Sequence, residues 1–388
     1  MYTPMTSKHF TKRINENGVN YWVLSTRVAP IQQGFYFVNN SLSADGRYLW
    51  FYCAFPPMEG HSVGVVDFLT DEVRHFPETG AADATWMVDE LTGNIYWGCP
   101  QGIFMRTPSP DEKPIRIGYM PAKATKAGIV GAGTHIQFTP DRKEIIIDIQ
   151  TRMGSIIGSM NVKDGSFTEW YSTEPGIPYN HAQICPTNGD LMMCAHEGHF
   201  DPNVGRHVSP EKTPEGIYPR LQLIGRDGSR EMRKPLNNYA THEWWAADGK
   251  SIYYCSQNHI AQDRLGDHEA ESVCYIPIEG GNGTWHAHCT VDEKYFVVDG
   301  SHPYGDLTWW RGCPSIVRFY NRETKKLVDV VTYNPVVEGW TPEHASTYHI
   351  DPHPRFIHND EWMVFTTTVS GRVDVGIAET KQLIEMSK

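Results

Sequence analysis

The segment TYHIDPHPRF, residues 347–356, concentrates side chains that bind metal ions. Within it, His349, Asp351 and His353 are each separated by one residue. In an extended strand alternate side chains share one face, so two imidazoles and a carboxylate would point the same way. Imidazole nitrogen and carboxylate oxygen both bind divalent transition metals. The spacing therefore predicts a metal-binding edge of a strand, with a merely polar loop as the alternative.

A repeated unit runs through the rest of the chain. It consists of a half-apolar strand, a tight turn with Asp or Asn and often Gly, and a strongly apolar strand, as in HEWWAADGKSIYYCS. A second hairpin-like segment follows each unit, so one repeat supplies four strands. The seven units start at Asn39, Asp83, His135, His181, His242, His286 and His353.

Seven repeats of four strands predict an all-β fold, a seven-bladed β-propeller of four-stranded antiparallel blades. We expect a single domain over residues 1–388, because the repeat continues across the whole chain. The N-terminal stretch VNYWVLS is expected to complete the last blade and close the ring.

The first residues of the seven units form a set of equivalent positions, and five of them are histidine in a chain with 18 histidines. In a propeller the innermost strands surround the central channel, so equivalent positions converge on one axis. Ionisable groups are costly to cluster unless a ligand or metal uses them. The sequence therefore predicts a functional site in the channel.

Composition narrows the classes of partner. The formal net charge is -12 and the chain has no block rich in Lys and Arg, so nucleic acid and membrane surfaces are not expected partners. The N-terminal segment lacks the apolar run of a signal peptide, and no apolar stretch is long enough to span a membrane. The eight cysteines include no CxxC pair. These features predict a cytoplasmic protein with reduced thiols.

Several segments together resemble the oligogalacturonate lyase family over nearly the whole chain: DPHPRFIHNDEWMVF, CAHEGHF, HAQICP, PRLQLIGRDG and THEWWAADG. The order of their histidines is more specific than the propeller turns. The resemblance implies cleavage of short oligogalacturonides by β-elimination. It also implies a divalent metal, Mn²⁺, held mainly by histidines.

The resemblance assigns roles to individual residues. His242 matches the catalytic base and Arg220 the essential arginine. A neutral imidazole can take a proton near neutral pH, and an arginine can clamp a carboxylate with two hydrogen bonds. We also expect substrate-binding roles for four further histidines, which are His135, His181, His196 and His344.

Two of the implied metal ligands match the family pattern, and two depart from it. His286 and His353 match. Asp351 stands where the family has a histidine, and its carboxylate can still bind manganese. Tyr348 stands where the family has a glutamine and is a poor replacement, so we expect His349 to take that place.

Three alternatives remain open at the level of sequence. The first is a lyase or epimerase-like enzyme that acts on a different oligouronide, which the departures at Asp351 and Tyr348 allow. The second is a non-catalytic propeller related to TolB, which would need no convergent histidines. The third is a metal hydrolase, although no carboxylate pair with glycosidase-like spacing is evident.

Overall fold

The computed structural model is a ring of seven antiparallel sheets, the seven-bladed β-propeller predicted from the repeats. The predicted channel position Asp83 lies outside the described residues. The structure describes residues 3–81, 85–201, 206–267, 269–278, 283–302, 311 and 314–388.

In blades 1 to 6 the strands follow one another in sequence from the channel outward. Blade 1 comprises β3 (Ile31–Gln33), β4 (Tyr48–Ala54), β5 (His61–Asp67) and β6 (Glu72–Ala81). Blade 2 comprises β7 (Trp86–Val88), β8 (Ile95–Cys99), β9 (Gly102–Arg106) and β10 (Ile115–Gly118). Blade 3 comprises β11 (Ile129–Ala132), β12 (Gln137–Phe138), β13 (Glu144–Thr151), β14 (Gly154–Asn161) and β15 (Phe167–Ser172).

Blades 4 to 6 have four strands each. Blade 4 comprises β16 (Tyr179–Cys185), β17 (Asn188–His196), β20 (Leu221–Gly225) and β21 (Arg230–Met232). Blade 5 comprises β22 (Thr241–Trp245), β23 (Ser251–Ser256), β24 (His259–Arg264) and β25 (Glu271–Tyr275). Blade 6 comprises β26 (Ala287–Cys289), β27 (Tyr295–Ser301), β28 (Ser315–Asn321) and β29 (Leu327–Asn334). A separate hairpin, β18 (His199–Asp201) with β19 (Arg206–Val208), is inserted in blade 4.

Blade 7 joins the two ends of the chain, as predicted for VNYWVLS. Its inner strands are β30 (Arg355–Ile357), β31 (Trp362–Thr367) and β32 (Asp374–Glu379), and its outer strands are β2 (Asn20–Leu24) and β1 (Phe10–Ile14). Strands β2 and β32 are antiparallel, with Tyr21 opposite Ala378. Blade 7 therefore has five strands, one more than predicted. Blade 3 also has a fifth, because its inner strand is split into β11 and β12, which both pair with β13.

The middle strands of the blades are buried on both faces, because neighbouring blades cover each of them. In β4 the run from Leu49 to Ala54 is buried throughout, rather than alternating between buried and exposed. Close packing sets the residue type at Gly64, where a Cβ atom would lie 2.4 Å from Phe51 Cζ. Each fully buried large apolar side chain contributes about 1.5–3 kcal/mol to stability.

Helices are few and short. They are α1 (Ala122–Ala127), a 3-10 turn at Leu236–Asn238, α2 (Pro342–Thr347) and α3 (Thr380–Met386). Within the described ranges, no helix has the length and apolar character needed to cross a membrane. Seven cysteines lie in the described part of the chain and all seven are free thiols.

Candidate active site and metal centre

The histidines that lead the repeats converge in the channel. The rings of His135 and His181 have centroids 4.5 Å apart, and the ring of His286 lies 4.2 Å from both His242 and His353. Five side chains that are far apart in sequence therefore form one cluster, as the propeller prediction required.

Local backbone irregularities aim three of these rings. His181, His242 and His353 have positive φ angles of 52°, 54° and 45°. The strand register shifts between Asn180 and Gln183, and between Thr241 and Trp244, so His181 and His242 lie in β-bulges. A bulge re-aims a side chain, and a left-handed residue other than glycine costs about 1–2 kcal/mol. The site thus holds strained residues that the surrounding blades stabilise.

All four predicted metal ligands lie close together. One potential ligand atom from each of His286, His349, Asp351 and His353 lies within 4.8 Å of the other three. Ligands that share an ion about 2.0–2.2 Å away lie at most about 4.4 Å apart, so a small side-chain adjustment would complete the coordination.

The unused polar atoms of this group also fit a metal ion. His349 Nε2, Asp351 Oδ1 and His353 Nε2 are buried and have no hydrogen-bond partner among the described residues. Orphaned buried polar atoms are rare in folded proteins, because each costs about 1–3 kcal/mol. A divalent ion would satisfy all three at once. The mixed nitrogen and oxygen donors suit Mn²⁺, Fe²⁺ or Zn²⁺.

Burial adjusts the protonation of these ligands. It lowers the pKa of His349 and of His353 well below the ordinary value for histidine, and the neighbouring cations act in the same direction. Burial also raises the pKa of Asp351 to about 6, against the opposing effect of Arg311, whose Nε lies 3.7 Å from Asp351 Oδ2. Neutral imidazoles keep the lone pair that a metal ion binds.

The C-terminal end of helix α2 positions His349. The sequence had predicted an extended strand at this place. The His349 N–H donates to the Ser346 carbonyl at 3.2 Å, and the Ile350 N–H donates to the Ala345 carbonyl at 2.9 Å. This pair of bonds is a Schellman motif, whose left-handed residue is usually glycine. Here that residue is His349, with φ 50°. The prediction of an alternating strand over residues 349–353 was wrong, because β30 begins only at Arg355.

Tyr348 turns away from the metal group. It is 2% exposed and packs in an apolar cluster with Ile31, Ala54 and Ile350. The adjacent backbone is anchored by Gln33, whose Nε2 donates to the carbonyls of Tyr348 and His349 at 3.0 and 3.2 Å. That His349 takes the place of the missing amide ligand stays a prediction.

Asp299 orients two of the potential ligands and was not singled out from the sequence. Its buried carboxylate accepts hydrogen bonds from His286 Nδ1 at 3.1 Å, from the His286 backbone N–H at 2.7 Å and from the His353 backbone N–H at 3.0 Å. Because Nδ1 of His286 carries the donated proton, its Nε2 is left as the metal-binding nitrogen. This is the usual second layer of a histidine metal site.

Arg220 is held in a charged group on the other side of the channel. Its Nε donates to Glu243 Oε2 at 2.8 Å, and its Nη1 donates to Glu197 Oε1 at 2.6 Å. The ring of His181 completes the group, with Nδ1 3.4 Å from Glu243 Oε1 and Nε2 3.8 Å from Glu197 Oε2. The Glu197 side chain is 32% exposed, whereas that of Glu243 is fully buried.

The pKa values in this group follow from its pairing. Burial favours the neutral forms, but Arg220 and His181 hold the pKa of Glu197 and of Glu243 below the ordinary value for glutamate. Burial opposes the charge on His181 as well, yet the two carboxylates raise its pKa. The Arg220 cation therefore faces two carboxylates, which also favour the protonated form of His181.

His242 lies between this charged group and the metal ligands. Its Nδ1 shares a short hydrogen bond with the hydroxyl of Thr241. Burial lowers the pKa of His242 well below the ordinary value for histidine, and His286 and Arg220 lower it further. The imidazole is therefore neutral at pH 7 and can accept a proton.

Two aromatic side chains of blade 1 fill the centre of the channel, and the sequence did not single them out. Tyr36 is 8% exposed, and its ring centroid lies 5.0 Å from that of His135 and 4.8 Å from that of His353. Phe37 is fully buried, and its ring lies 5.6 Å from that of His286. Both precede Asn39, the first of the repeat positions, and that proximity was the available signal.

The remaining predicted substrate-binding residues have different surroundings. His135 is 2% exposed and belongs to the central cluster. His196 ends β17, and its ring lies 5.3 Å from that of Tyr179. His344 is exposed and shares a capping box with Thr341 at the start of α2. Their substrate roles stay predictions.

Fold and site together define a β-propeller with a histidine-rich candidate metal centre in its channel. Neither the family models nor the curated protein sequences contain a match to this chain. Among solved structures, the fold is similar to an oligogalacturonate lyase in complex with manganese, with a TM-score of 0.70, 16% identity and coverage of 95% of this chain and 96% of that chain.

Two further structures share the fold. An oligogalacturonate lyase from Vibrio parahaemolyticus has a TM-score of 0.70 and 15% identity, over 95% of this chain and 96% of that chain. A puromycin-hydrolyzing peptidase of Mycobacterium tuberculosis has a TM-score of 0.55 and 15% identity, over 89% of this chain and 53% of that chain. At sequence identities this low, the structural likeness shows a common propeller fold and no more. The activity has to be argued from the site.

Proposed function

We propose that the protein is a metal-dependent lyase that cleaves short oligogalacturonides by β-elimination. The proposal rests mainly on the grouping of four side chains, those of His286, His349, Asp351 and His353, whose ligand atoms lie within 4.8 Å of one another. The neutral imidazole of His242 lies next to this group. The similarity in fold to an oligogalacturonate lyase in complex with manganese supports the same reaction class.

The four-residue group would hold a divalent ion, which we propose to be Mn²⁺. When bound, such an ion would stabilise the negative charge that builds up on a uronate carboxylate as carbon 5 loses its proton. Asp299 keeps His286 in the tautomer that leaves Nε2 open. The buried setting keeps His349 and His353 neutral and therefore able to act as ligands.

His242 is the proposed base. With the proton on Nδ1 directed at the Thr241 hydroxyl, Nε2 keeps its lone pair. That nitrogen would take the proton from carbon 5. The electron pair of the broken C–H bond then forms the double bond between carbons 4 and 5, and the bond from carbon 4 to the glycosidic oxygen breaks. The leaving oxygen takes a proton, so the products are an unsaturated uronide and a shortened saccharide.

Arg220 is proposed to bind a carboxylate of the substrate. Its donors are already engaged by Glu197 and Glu243, and Glu197 is the more exposed of the two partners. A uronate carboxylate would therefore take the place of Glu197 at Nη1. The exchange leaves the charge around His181 unchanged, and a substrate without a carboxylate gains nothing from it.

The other predicted contacts would line the path of the saccharide. His135 and His181 lie beside Tyr36 in the channel, and the amphipathic ring of a tyrosine can pack against a sugar. His196 and His344 are proposed at the periphery of the same binding region. A cytoplasmic location and a short oligosaccharide partner form part of the proposal.

The test is ultraviolet absorbance of the unsaturated product. Purified protein is incubated with digalacturonate and trigalacturonate as isolated, after chelation, and after return of Mn²⁺. His242→Ala is assayed beside His259→Ala, a change in the same blade at a histidine whose Nδ1 shares a hydrogen bond with Ser272.

We expect absorbance that requires metal, is lost about 100-fold or more in His242→Ala, and persists in His259→Ala. Absence of product with metal demonstrably bound would remove galacturonate as the substrate and point to another uronide. Absence of both product and bound metal would instead favour a non-catalytic propeller.

A further inference from the structure

The channel contains a second tier of side chains beyond the histidine cluster. Each of the five leading histidines is followed, two positions later in the sequence, by a residue of this second tier. These second-tier residues line a cavity of about 550 Å³. They are Gln137, Gln183, Trp244, His288 and Arg355. A cavity of this size is in the range of small-molecule sites.

Phe37 separates this cavity from the candidate metal centre. Its fully buried ring contacts His242 and His286 of the first tier, with centroid distances of 6.2 and 5.6 Å. On the other side it contacts Trp244 of the second tier, with a centroid distance of 6.1 Å. The residues that line the cavity include none of the four predicted metal ligands.

The guanidinium of Arg355 forms part of the cavity wall. Its Nη1 donates to the Phe37 carbonyl at 2.7 Å, and its buried Nε has no hydrogen-bond partner among the described residues. No carboxylate oxygen among the described residues lies within 4.0 Å of a guanidinium nitrogen of Arg355, the limit for a salt bridge. Arg220 in the first tier, by contrast, has two carboxylate partners. An arginine is always charged, and burying it without a counter-charge is costly.

The two acidic side chains in the same wall already have other partners. Glu90 accepts a hydrogen bond from Asn40 Nδ2 at 2.8 Å, and Asp360 accepts one from the backbone N–H of Val291 at 2.7 Å. They moderate the charge of Arg355 from a distance without occupying its donors. Its Nε–H and the adjacent Nη2–H form the pair that grips a carboxylate from the side.

Aromatic and apolar groups surround this cation. The ring of His288 lies 6.3 Å from that of Phe356 and 6.5 Å from that of Trp244, and its buried Nδ1 has no hydrogen-bond partner in the part of the chain that the structure describes. Trp245 and Phe138 extend the aromatic wall. The cavity thus combines a guanidinium without an ion pair, one unused imidazole nitrogen and flat apolar surfaces, with the carboxylates of Glu90 and Asp360 in the same wall.

We propose that this cavity binds a small ring-bearing organic carboxylate, with the carboxylate on Arg355 and the ring against Trp244 and Trp245. Two sources share this chemistry: the uronate ring of a saccharide, and an unrelated aromatic acid. The proposal does not depend on the lyase activity, because it concerns different residues.

The test is calorimetric titration of metal-free protein with sodium benzoate and sodium D-galacturonate, with benzamide and D-galactose as neutral counterparts. At least one of the two acids is expected to bind, and the neutral compounds are not. Arg355→Gln is expected to weaken binding about tenfold or more. The matched control is Arg142→Gln, since Arg142 lines the same cavity but is already paired with Asp89 at 2.5 Å.

A second pair of variants keeps the test informative if Arg355→Gln fails to fold. Val291 lines the cavity and is 66% exposed, so Val291→Lys and Val291→Glu alter the charge at the mouth without touching the core. The lysine variant is expected to bind the acid more tightly and the glutamate variant more weakly, by about threefold each way at low salt.

The outcomes separate the two sources. Binding of galacturonate alone, sensitive to Arg355, assigns the cavity to sugar acids, and binding of benzoate assigns it to aromatic acids. The proposal is overturned if neither acid binds, if Arg355→Gln binds as the native protein does, or if the two Val291 variants are indistinguishable.

Discussion

The carboxylate of Asp299 offers a sharp test of the metal centre. Asp299→Asn preserves size and shape but replaces one acceptor oxygen with a donor NH₂ group. The native carboxylate accepts from His286 Nδ1 and from the backbone N–H groups of His286 and His353. In either orientation the new NH₂ faces a backbone N–H, of His286 or of His353, and it also faces the Nδ1–H of His286 unless His286 moves its proton to Nε2. That tautomer points a hydrogen at the metal position and removes one ligand.

The expected loss of metal affinity follows from this change of tautomer. Removing the group that orients a metal-binding histidine typically weakens binding about 10–100-fold, or about 1.4–2.8 kcal/mol. An unsatisfied buried donor also lowers the free energy of unfolding by about 1–3 kcal/mol. Manganese affinity is measured by electron paramagnetic resonance of the free ion, and stability by urea unfolding of metal-free protein.

Asp148→Asn is the matched control. Asp148 occupies the corresponding place in blade 3, since its carbonyl accepts from the Gly133 N–H at 2.8 Å, as the Asp299 carbonyl does from the Trp285 N–H at 2.8 Å. It is fully buried, and its carboxylate accepts from the Thr134 hydroxyl at 2.7 Å. We expect a comparable loss of stability with unchanged manganese affinity. Native affinity in Asp299→Asn, or an equal loss of affinity in Asp148→Asn, would refute the proposed orienting role.

Three further predictions concern stability. Mn²⁺ at 100 times its dissociation constant should stabilise the protein by about 2.7 kcal/mol in thermal unfolding, and His353→Ala should abolish the effect. Glu243→Gln should lower the free energy of unfolding by about 3 kcal/mol, because the buried cation at Arg220 loses one of its two carboxylate partners; similar stability to native in urea would contradict this. Burial lowers the pKa of His61 to about 4. The unfolded chain therefore binds the proton first, so the contribution of His61 is complete above pH 6.5 and is lost as pH falls towards 4. The urea midpoint of His61→Gln should fall less between pH 7 and 4.5, and parallel curves would contradict this.

Local pattern was enough to predict the scaffold. Strand, turn and strand recur seven times, and a closed ring is the arrangement in which each repeat covers its neighbours. The convergence of the leading histidines then followed from equivalence alone. The N-terminal strand was predictable for the same reason, since the last blade otherwise lacks its outer partner.

The arrangement of individual side chains was less predictable. His349, Asp351 and His353 were recognised by spacing, but a strand was expected where the end of helix α2 places His349 through a left-handed cap. Asp299 carries no local signal of its importance, and Tyr36 has only its place shortly before Asn39. They act through contacts with residues of other blades, and a single sequence does not reveal which blades face each other across the channel.

The sequence by itself determined the number of blades, the closure of the ring and the types of residue that reach its axis, because repetition places equivalent positions on that axis. Only the tertiary structure decided which nitrogen of His286 is open to a metal ion and that the charge of Arg220 is already paired with Glu197 and Glu243. The physical reason is that proton position and charge pairing depend on distances of about 3 Å between side chains from different strands, and those distances exist only once the chain has folded.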